Sequence, residues 1–293
     1  MRGRVAVLFK HILIVGVGLI GGSFGLAARR ARLAERITGY GGSRSLQKAI
    51  SMGIIDAIEE SLDAGSECGA DLIYLAAPIR GIIDFIVNHG RLIKPGVIVT
   101  DAGSTKREIC RAASEALPAG ASFVGGHPMA GSHMAGVEHA SGDLFFGAPY
   151  AIVAGEATAT GIVEEVVRSI GARPVFMTAE AHDREVARTS HAPQLLSIAL
   201  ARAARKHAAG DSPKLAGRGL ADMTRLAASQ WSVWRDICET NRDEIIYALG
   251  ELADELGALR GALEDGRSED LGRAFEEANR FVSRLTERAT GSG

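Results

Sequence analysis

His127 stands in the run GGHPMAG, after two glycines and before a proline. A histidine on so constrained and side-chain-poor a loop has its ring held yet open to a small ligand. An imidazole can take or give a proton near neutral pH. Ser104, in TDAGSTK, lies at the carboxyl end of a predicted strand, where ligands of open α/β sheets bind, and would serve equally as a helix-cap serine. The third chemical stretch is ILIVGVGLIGG, Ile12 to Gly22, a branched apolar run that breaks into glycines at Gly16, Gly18 and Gly21. A buried strand followed at once by GxGxxG and a helix start predicts a dinucleotide-binding turn. Gly16 permits the turn, Gly18 lets backbone N–H groups approach a pyrophosphate, and Gly21 lets helix and strand pack closely. Leu19 and Ile20 lie in the same turn.

His127, His133 and His139 repeat every six residues across glycines, which is not one-face helical spacing, and no cysteine or carboxylate cluster completes a set of ligands. No metal site is expected. The uncharged stretch from Ile12 to Ala28 is too short and too glycine-rich for a signal peptide or a membrane span. A net charge of −2 from 33 basic and 35 acidic residues leaves no basic surplus for nucleic acid or an anionic membrane. Cys68, Cys110 and Cys238 are far apart, with no CxxC pairing, and read as free thiols of a reducing, cytoplasmic protein.

The elements that must position these groups follow in order. Arg36 to Tyr40 is a second strand, and its end carries Gly41-Gly-Ser43-Arg44 where a ribose-binding carboxylate is usual. That absence leans towards NADP over NAD, with Ser43 and Arg44 as phosphate partners, or else Arg44 is simply exposed. Asp71 to Ala77 is a strand closing on Pro78, which places Ala77 and Pro78 beside the nicotinamide position. Gly96 to Thr100 is a strand, and Thr105 with Glu108 predicts a capping box that starts a helix at Lys106. Phe123 to His127, Phe145 to Val153 and Ala172 to Met177 complete the sheet. From Glu180 to His207 the pattern is helical, and Pro193 inside it should free the Thr189 carbonyl and bend the axis beside His191 and Gln194.

Farther on, Ile245, Leu249, Leu252, Leu256, Leu259 and Leu263 form one apolar seam, and Leu271, Phe275, Ala278, Val282 and Leu285 form another. Two seams exceed what one short helical domain covers, so a homodimer is expected, with an intramolecular bundle as the alternative. The fold class is thus α/β, a Rossmann-type dinucleotide-binding sheet domain over 1–178 followed by an all-α dimerisation domain over 179–293.

GVGLIGGS, DLIYLAAP, TDAGSTK, GGHPMAG, SHAPQ, MTRLAAS and VWRDICETN occur in the order that resembles the prephenate dehydrogenase family, with its arogenate and cyclohexadienyl members. The resemblance implies oxidative decarboxylation of a cyclohexadiene, prephenate or arogenate, with hydride passing to NAD or NADP. It implies His127 on the ring hydroxyl, Ser104 orienting it, Arg225 on a substrate carboxylate, and His191 and Trp234 lining the pocket. The chain departs from the family at His133, where several members have an acidic residue, and at Gln194, where some have a histidine; both bear on the substrate side chain. Gln230-Trp231 replaces a more usual Asp-Pro. No regulatory domain is expected after Gly293 and no mutase segment before Met1. Two other readings remain open: another Rossmann-plus-helical reductase, against which the Glu180–Ala204 helix lacks the usual lysine, and a non-catalytic dinucleotide-sensing dimer.

Overall fold

The computed structural model describes residues 7–62, 69–131, 134–206 and 215–290. Strand β1 (Phe9–Val15) is apolar and buried along nearly its whole length, as a central parallel strand must be when helices cover both faces. It leads into α1 (Leu19–Ala31), β2 (Ala34–Tyr40), α2 (Ser43–Ser51), β3 (Ala57–Ile58), β4 (Leu72–Leu75), α3 (Ile79–His89), β5 (Ile98–Asp101), α4 (Arg107–Ala116) and β6 (Ser122–Pro128). These six strands are parallel, in the order β3-β2-β1-β4-β5-β6, and the order reverses direction between β1 and β4. That crevice is where a doubly wound sheet takes its ligand. Strand β7 (Pro149–Val153) runs antiparallel to β6, and beyond α5 (Ala157–Ser169) comes β8 (Arg173–Met177), parallel to β7. Phe24 of α1 stacks on Tyr74 of β4 with ring centroids 3.7 Å apart, at the centre of the core.

Three local expectations are corrected. The strand expected from Phe145 begins only at Pro149, because Phe145–Ala148 closes a turn through Gly147 at φ +71°. The strand expected over Asp71–Ala77 is limited to Leu72–Leu75. No Thr105–Glu108 capping box forms: the Thr105 hydroxyl bonds the Thr240 hydroxyl at 2.7 Å, and Glu108 pairs with Arg80 at 3.3 Å. The first N–H groups of α4 go elsewhere. Asp183 Oδ1 accepts from Lys106 N at 2.7 Å and Asp183 Oδ2 from Arg107 N at 3.0 Å, so a carboxylate from a distant helix does the capping.

The helical segment comprises α6 (Ala179–Val186), a π turn (Ala187–His191), α7 (Ala192–Lys206), α8 (Arg218–Thr224), a 3₁₀ turn (Arg225–Ala228) and α9 (Trp231–Thr240). The π turn lies just ahead of Pro193, where the chain must absorb a missing N–H donor. The change from sheet to helix near residue 178 falls inside one compact unit that extends to Arg242. Residues 243–293 form a second unit, built from α10 (Arg242–Glu264) and α11 (Ser268–Thr290), with Gly266 at φ +65° in the turn. Leu256, Leu263, Phe275 and Leu285 of the two seams are exposed.

Candidate active site

The glycine turn shapes a cleft of about 420 Å³ lined by Gly16, Gly18, Gly41, Ser45, Ala77 and Pro78, among others. Gly16 has φ +87°, and a Cβ there would lie 2.7 Å from Ala77 N. A Cβ on Gly21 would meet the Gly16 carbonyl at 2.2 Å, whereas one on Gly18 would meet nothing within 4 Å. Two of the glycines are therefore fixed by packing. The third is bare towards the cleft, as a cradle for a pyrophosphate requires. Gly18, in the cleft lining, caps α1, whose first turn holds no acidic residue to offset the positive end of its dipole. The residues present thus fit a dinucleotide.

Of the other expected cofactor residues, Leu19 and Ile20 are half-buried in the first turn of α1. Ser43 and Arg44 begin α2 as exposed residues, and from that turn it is Ser45 that lines the cleft. Sequence reasoning passed over Asp84, Asn88 and His89 of α3, which line it too.

His127 is fixed by the backbone beneath it. Asp101 Oδ1 accepts from Gly126 N at 2.9 Å, and Lys106 Nζ donates to Gly126 O at 2.7 Å and to Asp101 Oδ2. Asp101 and Lys106 are fully buried. A Cβ on Gly126 would lie 2.3 Å from the Asp101 carbonyl, so β6 closes on β5 only with glycine at this position. The half-buried His127 ring then turns its Nδ1 to His182 Nε2 at 2.8 Å, and His182 Nδ1 to Asp183 Oδ1 at 2.8 Å. His182 and Asp183 are buried and were not singled out by sequence reasoning. Burial pushes His127 well below the ordinary histidine range, helped by His182, Lys106 and His191. It is a neutral imidazole at physiological pH.

A second histidine is tied to the same residue, through the Asp183 backbone carbonyl. Asn241 Oδ1 accepts from Arg107 Nη2 at 3.1 Å, so its amide nitrogen faces the Asp183 carbonyl at 2.8 Å and His191 Nδ1 at 3.2 Å. Burial lowers His191 to about 4. Its ring meets Trp234 edge-on, centroids 5.9 Å apart. Asp183 gains from burial an upward push, which hydrogen bonds from His182, Arg107 N and Lys106 N outweigh, leaving it below the usual carboxylate range.

The remaining expected residues separate. Ser104 is half-buried in the β5–α4 loop, while the orientation of His127 at Nδ1 is set by His182. Gln194 is buried and bonded at both ends of its amide: its Nε2 donates to Leu226 O at 2.7 Å, and its Oε1 accepts from Ser229 Oγ at 3.4 Å. Ser197 Oγ accepts from Ala227 N at 3.1 Å. Both side chains thus hold the short turn that begins with the exposed Arg225. His133 lies outside the described residues. Among the described residues no cluster of three or more His, Cys, Asp or Glu could hold a metal, and no helix is long and apolar enough to cross a membrane.

The family model for the prephenate dehydrogenase nucleotide-binding domain matches residues 24–176, and that for the prephenate dehydrogenase dimerization domain matches residues 178–277. A prephenate dehydrogenase of Bacillus subtilis is 33% identical over 291 residues, 96% of this chain and 77% of that protein. The structure of A. aeolicus prephenate dehydrogenase with hydroxyphenyl propionate and NAD+ superposes with a TM-score of 0.88 at 28% identity, covering 94% of this chain and 98% of that one. Synechocystis arogenate dehydrogenase does so with a TM-score of 0.81 at 26% identity, covering 94% and 99%. With both halves matched in order on a sheet whose glycine cradle fits a nicotinamide dinucleotide, the chain belongs to the prephenate dehydrogenase family, enzymes of oxidative decarboxylation in aromatic amino acid biosynthesis.

Proposed function

We propose that the chain oxidatively decarboxylates prephenate, arogenate or both with NAD(P), that it works as a homodimer, and that its role changes from cofactor to substrate handling at residue 178/179. The observation that carries the reading is His127 near the carboxyl end of β6, its Nδ1 2.8 Å from His182 Nε2 and its ring kept neutral by burial, on the same sheet as the dinucleotide cradle. When bound, the dinucleotide supplies the hydride acceptor. His127 Nε2 accepts the proton of the ring hydroxyl, and the ring carboxylate leaves as carbon dioxide while the ring becomes aromatic. Ser104, at the end of β5, hydrogen-bonds the same hydroxyl. Arg225 binds a substrate carboxylate, for which a two-pronged guanidinium suits better than an ammonium. His191 and Trp234 form a wall of the pocket, and Gln194 supports it through the Arg225 turn.

Gly41 and Gly42 leave no carboxylate at the end of β2 to repel a 2′-phosphate, which favours NADP, while Asp84 in the same cleft pulls the other way. The exposed apolar seams of α10 and α11 supply the surface for a second copy. His127→Ala should retain dinucleotide affinity and lose turnover. Near-normal turnover would remove the base. Arg225→Ala should raise the KM for prephenate far more than that for cofactor, and an unchanged KM would remove the carboxylate role. Rates on both substrates with both cofactors, followed by absorbance of the reduced nicotinamide, decide the finer specificity.

A further inference from the structure

Nothing in the proposed reaction explains why a second buried imidazole and a buried carboxylate stand in line behind His127. We propose that Asp183 and His182 form a positioning relay that fixes His127 as its Nδ1–H tautomer, leaving Nε2 bare towards the substrate. This deepens the functional reading above and rests on it for its catalytic consequence.

Asp183 Oδ1 accepts from Lys106 N at 2.7 Å, and its Oδ2 accepts from Arg107 N at 3.0 Å and Arg107 Nε at 3.3 Å. Three donors on a buried carboxylate leave it ionised and immobile. His182 Nδ1, 2.8 Å from Oδ1, must then carry a hydrogen, because a bare ring nitrogen would set a lone pair against an anion. A neutral His182 with its hydrogen on Nδ1 has a bare Nε2. That lone pair lies 2.8 Å from His127 Nδ1, which must in turn carry the hydrogen of this bond. His127 Nε2 is thereby left as the base.

The opposite arrangement is penalised. Were His182 doubly protonated, its Nε2–H would point at His127 Nδ1, push the His127 hydrogen to Nε2, and put a donor where an acceptor is needed. The charged and titratable groups around the pair on other elements are the Lys106 ammonium with its partner Asp101, the Arg107 guanidinium and His191, of which Lys106 and His191 each depress His127. An added cation in their midst is unfavourable until substrate delivers a proton. The captured proton then makes His127 cationic with its Nδ1–H on His182, and the Asp183 charge at the far end of the line offsets it. This is the logic by which a carboxylate fixes the tautomer of a catalytic imidazole, lengthened here by one ring. Loss of the relay should act on turnover, because buried His182 contacts His127 from behind and buried Asp183 contacts His182 in turn.

The test reads tautomers directly. In protein labelled with ¹⁵N-histidine, long-range ¹H–¹⁵N correlation spectra without substrate should show His127 and His182 both protonated at Nδ1 and bare at Nε2. In His182→Leu, His127 should revert to the Nε2–H form, and kcat should fall about 100-fold or more with substrate KM within about threefold. His182→Gln, whose amide oxygen can accept from His127 Nδ1–H, should restore the tautomer and recover at least about tenfold of the lost kcat. A wild-type His127 that is bare at Nδ1 overturns the relay, whatever the variants do. So does a leucine variant whose His127 keeps its tautomer. Should the tautomers be as inferred while His127→Ala still turns over, the relay stands and the reaction assigned to the site fails instead.

Discussion

Acid should weaken this protein through one identifiable ring. Asn241 is oriented from its far side by Arg107 Nη2 and donates to the Asp183 carbonyl, so the amide hydrogen left for His191 meets a bare Nδ1 at 3.2 Å. Protonating His191 at Nδ1 would set N–H against N–H inside a site that is 1% exposed. Burial above all, with His182 adding to it, brings the group to about 4, against about 6.5 in the unfolded chain. Between those values the unfolded state binds a proton that the folded state refuses, so stability is complete above about pH 6.5 and falls as pH drops towards 4. Integrating over the interval from about pH 7 to about pH 4.5 gives a loss of about 2 kcal/mol from this ring alone. The assay is urea unfolding of wild type and His191→Gln at several pH values and one fixed protomer concentration, since dimerisation would add its own free energy. Glutamine has no titration in this range, so the variant's stability should fall by about 2 kcal/mol less than wild type over the interval. Parallel curves for the two proteins would refute the assignment.

Gly18→Ala adds its Cβ to open space, so Tm should stay within about 2 °C of wild type while dinucleotide Kd, read by fluorescence titration, rises about tenfold or more. Gly21→Ala sets a methyl 2.2 Å from the Gly16 carbonyl and should lower Tm as well as affinity; a variant as stable as wild type would contradict the packing role. Lys106→Met strands the buried Asp101 carboxylate and should cost about 3–5 kcal/mol in urea unfolding, with a loss under about 1 kcal/mol counting against the pair. Gln194→Leu breaks both side-chain bonds to the Arg225 turn and should raise prephenate KM about tenfold with a smaller change in kcat. An unchanged KM would separate Gln194 from that turn.

Legibility in the sequence followed distance along the chain. The cofactor cradle was readable because GxGxxG follows directly on a buried strand, although the contact that fixes Gly16 is with Ala77, far along the chain, and Gly18 faces open space. His127 was readable because its flanking glycines and proline are local. Ser43 and Arg44 begin α2 as exposed residues, while Ser45, which no local motif marks, lines the cleft. The Thr105–Glu108 capping box failed for a tertiary reason: each side chain found a partner outside the motif, Thr105 at Thr240 and Glu108 at Arg80. Asp183 and His182 sit in the unremarkable helical run AEAHDREV, and nothing in that run reports that their partners are Lys106, Arg107 and His127.

The same pattern recurs at a second helix and explains how the helical segment is seated. Asp236 of α9, buried, accepts from Arg80 N at 3.1 Å in the first turn of α3, just as Asp183 of α6 accepts from Lys106 N and Arg107 N at the start of α4. Neither α3 nor α4 receives a side-chain cap from its own N-cap residue, so in each case the open N–H groups are satisfied by a carboxylate more than seventy residues away. A helix N-terminus is positive and its donors are obligatory, so a buried carboxylate there is both compensated and directional. Helices α3 and α4 follow the two strands whose carboxyl ends carry Ala77, Pro78 and Ser104. Anchoring their first turns therefore sets those loops at the same time as it docks α6 and α9. The chain uses one class of contact to close its core and to aim His127, which is why removing Asp183 must damage fold and chemistry together, and why His182, bonded to the site but capping no helix, is the residue at which the two can be told apart.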